Sequence, residues 1–157
     1  AQAVRCAVRV ASLEFDNCAG FEPLAVDAGT PERSYVAYLT GRWPGMDLAT
    51  LPQQHRGVVT ATDPNARQAA LAAMQDPLSR LIAAGALLQI GQLSPAGVAL
   101  AVQSASAEGW RRPLLAWLGV QLKLADSAGD IAAKAVIQRR IDLATGDAAP
   151  GLPAAKP

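Results

Sequence analysis

Aromatic side chains make up only 4% of this 157-residue chain. A β-sandwich fills its inner faces with aromatic and β-branched residues, so the shortage argues against one. Histidine occurs once, at His55, and cysteine twice, at Cys6 and Cys18. That leaves too few ligands for a zinc or other transition-metal site, and the cysteine spacing is too wide for a CxxC redox motif. A Ser-His-Asp or Cys-His centre has to use His55, yet no Gly-x-Ser-x-Gly elbow accompanies it. No Walker loop, GxGxxG turn or EF-hand loop is present. No catalytic residue, metal ligand or cofactor is therefore assigned.

Long apolar runs and strong charge are missing too. The longest apolar stretches, residues 81–88 and 114–120, fall far short of the roughly 20 residues that span a bilayer. A soluble mature chain without a membrane-spanning segment is expected. The formal charge is +1. Residues 1–62 carry five Arg against six acids, and residues 63–146 carry eight Lys and Arg against six acids. Arg111/Arg112 and Arg139/Arg140 are local basic pairs, which read as solvated helix ends. A nucleic-acid binder shows a concentrated basic stripe, and none is expected as a partner here.

What the chain has is alanine. Hydrophobic residues reach 51%, and much of that is alanine, the best helix former and small enough for close helix contacts. Helix starts are written plainly. Asp63-Pro64, Asp76-Pro77, Ser94-Pro95 and Thr30-Pro31 each place a side-chain oxygen at an N-cap before a proline, and Asp130 is a further N-cap candidate. Helix stops interleave with them at Gly41, Gly91, Gly109, Gly129 and Gly146. Together they predict helices near 31–40, 64–75, 77–90, 95–108, 113–128 and 131–145. Short connections force such neighbours into antiparallel hairpins. Leu78, Leu81, Ile82, Gly85 and Leu88 share one helical face, as do Leu114, Trp117, Leu118 and Leu122, and then Val136, Ile137 and Ile141.

The first 30 residues carry two patterns. Arg5, Arg9, Ser12 and Asp16 repeat at helical spacing, whereas Val4, Cys6, Val8 and Val10 alternate. A continuous helix would hold Cys6 and Cys18 about 18 Å apart, and a disulfide needs Cα atoms within about 7 Å. A disulfide therefore requires a reversal near Ser12, by a short helix with an extended return or by a hairpin. Two buried free thiols are the alternative. The disulfide is the expected state and points to an oxidising compartment. The start Ala1-Gln2-Ala3, without an initiator methionine, fits a mature periplasmic or secreted product or a trimmed chain. Residues 41–62 read as a long irregular link with one short turn after Asp47, and 147–157 as a disordered Ala/Pro/Gly-rich tail. The whole is one helical domain over 1–146, with 1–62 as cap and link and 63–146 as the hairpin core.

An internal echo runs through that core. At an offset of 36 residues Pro77-Leu78 meets Pro113-Leu114, Leu81 meets Trp117, Ile82 meets Leu118, Ser94 meets Asp130, and Ala96 and Ala99 meet Ala132 and Ala135. With Trp117-Leu118-Gly119, Gly129-Asp130, Ala132 and Ala135, the segment 77–145 resembles the tetratricopeptide repeat. The usual later aromatic and terminal proline are missing. The resemblance implies an all-α, short tetratricopeptide-like solenoid, with an irregular helical bundle as the rival. It also implies protein–protein interaction through a groove between the 77–108 and 113–145 hairpins.

Few residues offer chemistry outside that surface. His55, in a polar stretch, reads as an exposed loop residue. Glu14 and Asp16 read as helix-end charges more readily than as an acid–base pair. Trp117 belongs to the core and Trp110 to a helix–helix corner. Trp43, beside Pro44 and Gly45, is the candidate exposed aromatic, against a lid over the helices. Arg80, Gln89, Arg112 and Lys123 would line an anion pocket if they converged. The primary expectation is a non-catalytic module for a protein or peptide partner, an envelope accessory or assembly factor, with Trp43, Trp110, Arg112 and Lys123 as binding residues. A small all-α enzyme or ligand binder with an Arg/Lys-lined pocket is the alternative, and homo-oligomerisation through alanine-rich faces is a third possibility.

Overall fold

A computed structural model describes residues 1–146; the expected disordered tail at 147–157 lies outside the described residues. Among the described residues the chain is all-α. The helices are α1 (Gln2–Ala11), α2 (Thr30–Leu39), α3 (Gln53–Thr60), α4 (Pro64–Ala73), α5 (Pro77–Gln89), α6 (Pro95–Ala107), α7 (Arg111–Ser127) and α8 (Ile131–Thr145), with short 3₁₀ helices at Ala19–Leu24 and Leu48–Thr50. From α5 onward each helix packs on its successor, and α1 lies across α5 and against α2.

The local signals act as their chemistry requires. Asp63 accepts from the Ala66 amide at 2.9 Å, Asp76 from Ser79 at 2.7 Å, Ser94 from Gly97 at 3.1 Å and Asp130 from Ala133 at 3.0 Å. Each satisfies a first-turn amide that the helix leaves open. Gly41, Gly91, Gly109, Gly129 and Gly146 all take positive φ, the left-handed state that ends a helix. Asp47 accepts from the Ala49 amide and starts the short turn expected there.

Four expectations are corrected. Thr30 lies inside α2, whose N-cap is Gly29, and makes no capping bond. Helix α7 starts at Arg111 with Trp110 as its N-cap, so Pro113 falls within the first turn. Residues 41–62 are less irregular than the Pro and Gly count suggests, because Gln53–Thr60 forms α3 behind Pro52. The chain reverses after Ala11, but returns through turns and a 3₁₀ helix instead of an extended segment.

That reversal is held by the Cys6–Cys18 disulfide, with Cα atoms 5.3 Å apart. Leu13, Asn17 and Cys18 in this loop all have positive φ. Left-handed backbone is costly away from glycine, and persists where surrounding structure imposes it. The core runs from Cys6, Val10 and Ala11 through Leu81, Ala84 and Leu87 to Val98, Val102, Trp117 and Leu118, all buried. Each large aliphatic among them contributes about 1.5–3 kcal/mol by leaving water. Helices α1 and α5 approach so closely that a Cβ on Gly85 would stand 2.5 Å from the Val10 carbonyl oxygen.

Positions paired at the 36-residue offset share an environment in some cases and not in others. Leu81 and Trp117, and Ile82 and Leu118, are buried at both positions, and Ser94 and Asp130 are both N-caps. Ala96, Ala99, Ala132 and Ala135 are exposed instead. Gly119 has no atom within 4 Å of where its Cβ would be, so no contact demands its small size.

Candidate functional site

The corner between α6 and α7 sets up an apolar groove. Gly109 ends α6 in the left-handed state, the Trp110 amide donates back to the Ala105 carbonyl at 3.0 Å, and Trp110 turns extended as the N-cap of α7. This leaves the indole half-buried beside Pro113. Val8, Ala11 and Ser12 of the α1 end and Leu78 and Leu81 of α5 line the same groove, of about 530 Å³. Val8 is 48% exposed, an aliphatic side chain left uncovered on the groove wall. Arg111 and Arg112 also line the groove.

Those two cations are oriented by neighbours. Arg111 donates through Nη2 to the Thr145 carbonyl at 2.7 Å, at the end of α8. Arg112 Nε lies 2.6 Å from Glu14 Oε1, and Asp16 pairs with Arg9 at 2.5 Å. Glu14 and Asp16 thus serve as ion-pair partners. The Arg112 side chain is 79% exposed, so its pair contributes little to stability. The groove offers apolar surface flanked by the Arg111 cation and the Arg112–Glu14 ion pair.

The structure brings Trp110 and Arg112 together but leaves Trp43 and Lys123 elsewhere. Trp43 is half-buried, stacked on Tyr38 with ring centroids 5.5 Å apart, and its Nε1 donates to the Tyr38 carbonyl at 3.0 Å. It has the geometry of a lid. Lys123 is exposed on α7 and lines neither this groove nor the Arg-lined pocket beside α2. The four residues suggested for an anion pocket do not converge. Arg80 donates to the Met74 carbonyl and to Ser104 Oγ, and Gln89 Nε2 to the Leu39 carbonyl at 2.6 Å. Both are spent on helix ends and neighbouring helices. The groove also differs in place from the one expected between hairpins, because α6 and α7 pack directly on each other there.

The reading of His55 is corrected as well. It is 1% exposed on α3, not a solvated loop residue. It shares a 2.9 Å hydrogen bond with the Tyr38 hydroxyl through Nδ1, within a cluster that includes Tyr35 and Trp43. Burial pushes its imidazole down to about 4, against the Asp76 carboxylate, which raises it. Burial likewise pushes the Tyr35 hydroxyl up to about 12. The missed signal was the three-residue spacing of His55 and Val58 behind Pro52, one buried face of a two-turn helix.

Apolar side chains also stand exposed on α8, where Ile131 is 82%, Val136 48% and Leu143 68% exposed. Among the described residues, no group of three or more His, Cys, Asp or Glu side chains could hold a metal ion. No helix there is long and apolar enough to cross a membrane. No protein-family model, curated protein or solved structure matches the chain.

Proposed function

We propose that this protein is a non-catalytic helical interaction module, an accessory or assembly factor of the periplasm or cell exterior, which binds a peptide or partner helix at the Trp110 groove. The observation carrying this reading is one apolar groove lined by the half-buried Trp110, the uncovered Val8, and Leu78, with Arg111 and Arg112 in the same lining. A partly exposed tryptophan in an apolar depression has the character of an interface hot spot. An amphipathic helix with apolar anchors one turn apart and acidic flanks suits that surface. The compartment draws support from the Cys6–Cys18 disulfide. Kinship with tetratricopeptide repeats belongs to the same proposal, supported by the matched caps Ser94 and Asp130 and the matched core pairs.

Selection of displayed helical peptides on the immobilised protein tests it. Selected sequences are expected to share apolar anchors and acidic flanks. Trp110→Ala is expected to weaken them about 30-fold, the size of a hot-spot loss. Trp43→Ala is expected to leave affinity near wild type. Retained affinity in the Trp110 variant removes the groove from the account.

A further inference from the structure

A different pocket lies where the disulfide loop meets α2. It encloses about 360 Å³, within the range of small-molecule sites. Its apolar surface comes from Phe21, Ala25, Val36 and Ala37, and Cys18 forms part of the wall. Arg33, Arg42 and Glu22 supply the charge. Arg33, Val36 and Ala37 are spaced i, i+3 and i+4 on α2, so one face of that helix supplies both a cation and apolar surface.

The guanidiniums are held without being neutralised. Arg33 donates one Nη1 bond to the Ala28 carbonyl at 2.7 Å, and Arg42 donates Nε to Thr40 Oγ1 at 3.0 Å. Each guanidinium has five N–H donors, so most remain for a ligand. Among the described residues the ion pairs join Arg9, Arg112 and Lys134 to acids, and none involves Arg33, Arg42 or Glu22. Two cations against one carboxylate leave the lining with one net positive charge. The wall is also preset: the disulfide closes the loop, and Asn17 and Cys18 hold left-handed backbone. A preformed wall lowers the ordering cost of binding.

We propose that this pocket binds a small amphiphilic monoanion, an alkyl carboxylate whose head meets Arg33 and Arg42 and whose chain lies against Phe21 and Val36. The net charge selects one negative charge, the apolar surface selects a hydrocarbon body, and the volume limits the ligand to a short or medium chain. This site is independent of the Trp110 groove.

Calorimetric titration of the full chain with butanoate, hexanoate, octanoate and octanol tests the assignment. Octanoate is expected to bind once per chain, with about fourfold tightening for each methylene added from butanoate. Octanol is expected to bind at least about tenfold more weakly than octanoate, for want of the charge-assisted hydrogen bonds. Arg42→Gln is expected to weaken octanoate about tenfold, with Arg42→Lys restoring part of the loss. Ala37→Leu, which fills the pocket and leaves both cations, is expected to abolish binding while the helical circular dichroism is unchanged. Absence of saturable heat, equal affinity for octanol, or undiminished binding in Ala37→Leu would each overturn the proposal.

Discussion

The indole N–H of Trp117 donates to the carbonyl oxygen of Ala11 at 3.0 Å, joining two residues 106 positions apart. Ala11 is the last residue of α1, where carbonyls lack intrahelical partners, and both residues are buried. One side chain therefore completes the end of α1 and fixes α7 beside it. Trp117→Phe keeps an aromatic ring but leaves that carbonyl unpaired. A loss of about 1–3 kcal/mol is expected, read as a lower urea midpoint with an unchanged slope.

Two glycines give opposite expectations for one change. At Gly85 a Cβ would press on the Val10 carbonyl oxygen, so Gly85→Ala has to push α1 away from α5. Overpacking of this kind costs about 1–3 kcal/mol. Gly119 stands inside α7 with open space around its Cβ position. Gly119→Ala is expected to stabilise by about 0.5–1 kcal/mol through helix propensity. Thermal unfolding of the two variants side by side reads the sign directly.

Acid is expected to weaken the fold through His55. Its folded pKa is about 4 and its ordinary value 6.5. Above pH 6.5 it is neutral in both states and contributes no slope. Between 6.5 and 4 the unfolded chain takes up the proton first, so stability falls with falling pH, by about 3 kcal/mol in all. His55→Phe removes that contribution while costing about 1–3 kcal/mol at neutral pH, because the Tyr38 hydroxyl loses its partner. Urea titrations at several pH values are expected to show a flatter acid limb in the variant.

Removing the disulfide tests the N-terminal cap. Cys6 and Cys18 are 12 positions apart, and opening so short a loop is expected to cost about 2–4 kcal/mol. The Cys6→Ser/Cys18→Ser chain is expected to melt lower than wild type and to ignore reductant, whereas wild type falls toward it when reduced. Intact mass without reductant is expected to lack two hydrogens relative to the reduced protein.

Local chemistry was legible in the sequence, and long-range chemistry was not. Asp63, Asp76, Ser94 and Asp130 could be read as caps because their partners lie three residues away. The five glycine stops were equally self-contained, since a left-handed residue needs no distant partner. Thr30 failed because Gly29 took the cap position. Helix α3 was obscured by a polar run whose apolar side, His55 and Val58, faces other helices. The groove arises because α1 crosses α5 and approaches the start of α7, a relationship no short window contains. Trp110 and Arg112 were readable as candidates. Of the residues that complete the wall, Leu78 read only as a helix-face position and Val8 as one member of a two-residue alternation.

The most direct test of the interaction account is amide chemical-shift mapping with a peptide selected on the wild-type protein. The account predicts that the largest changes fall on Val8, Ala11, Leu78, Trp110 and Arg112, and that Trp110→Ala removes them. Changes centred on Ile131, Val136 and Leu143 of α8, with the Trp110 region silent, would contradict it.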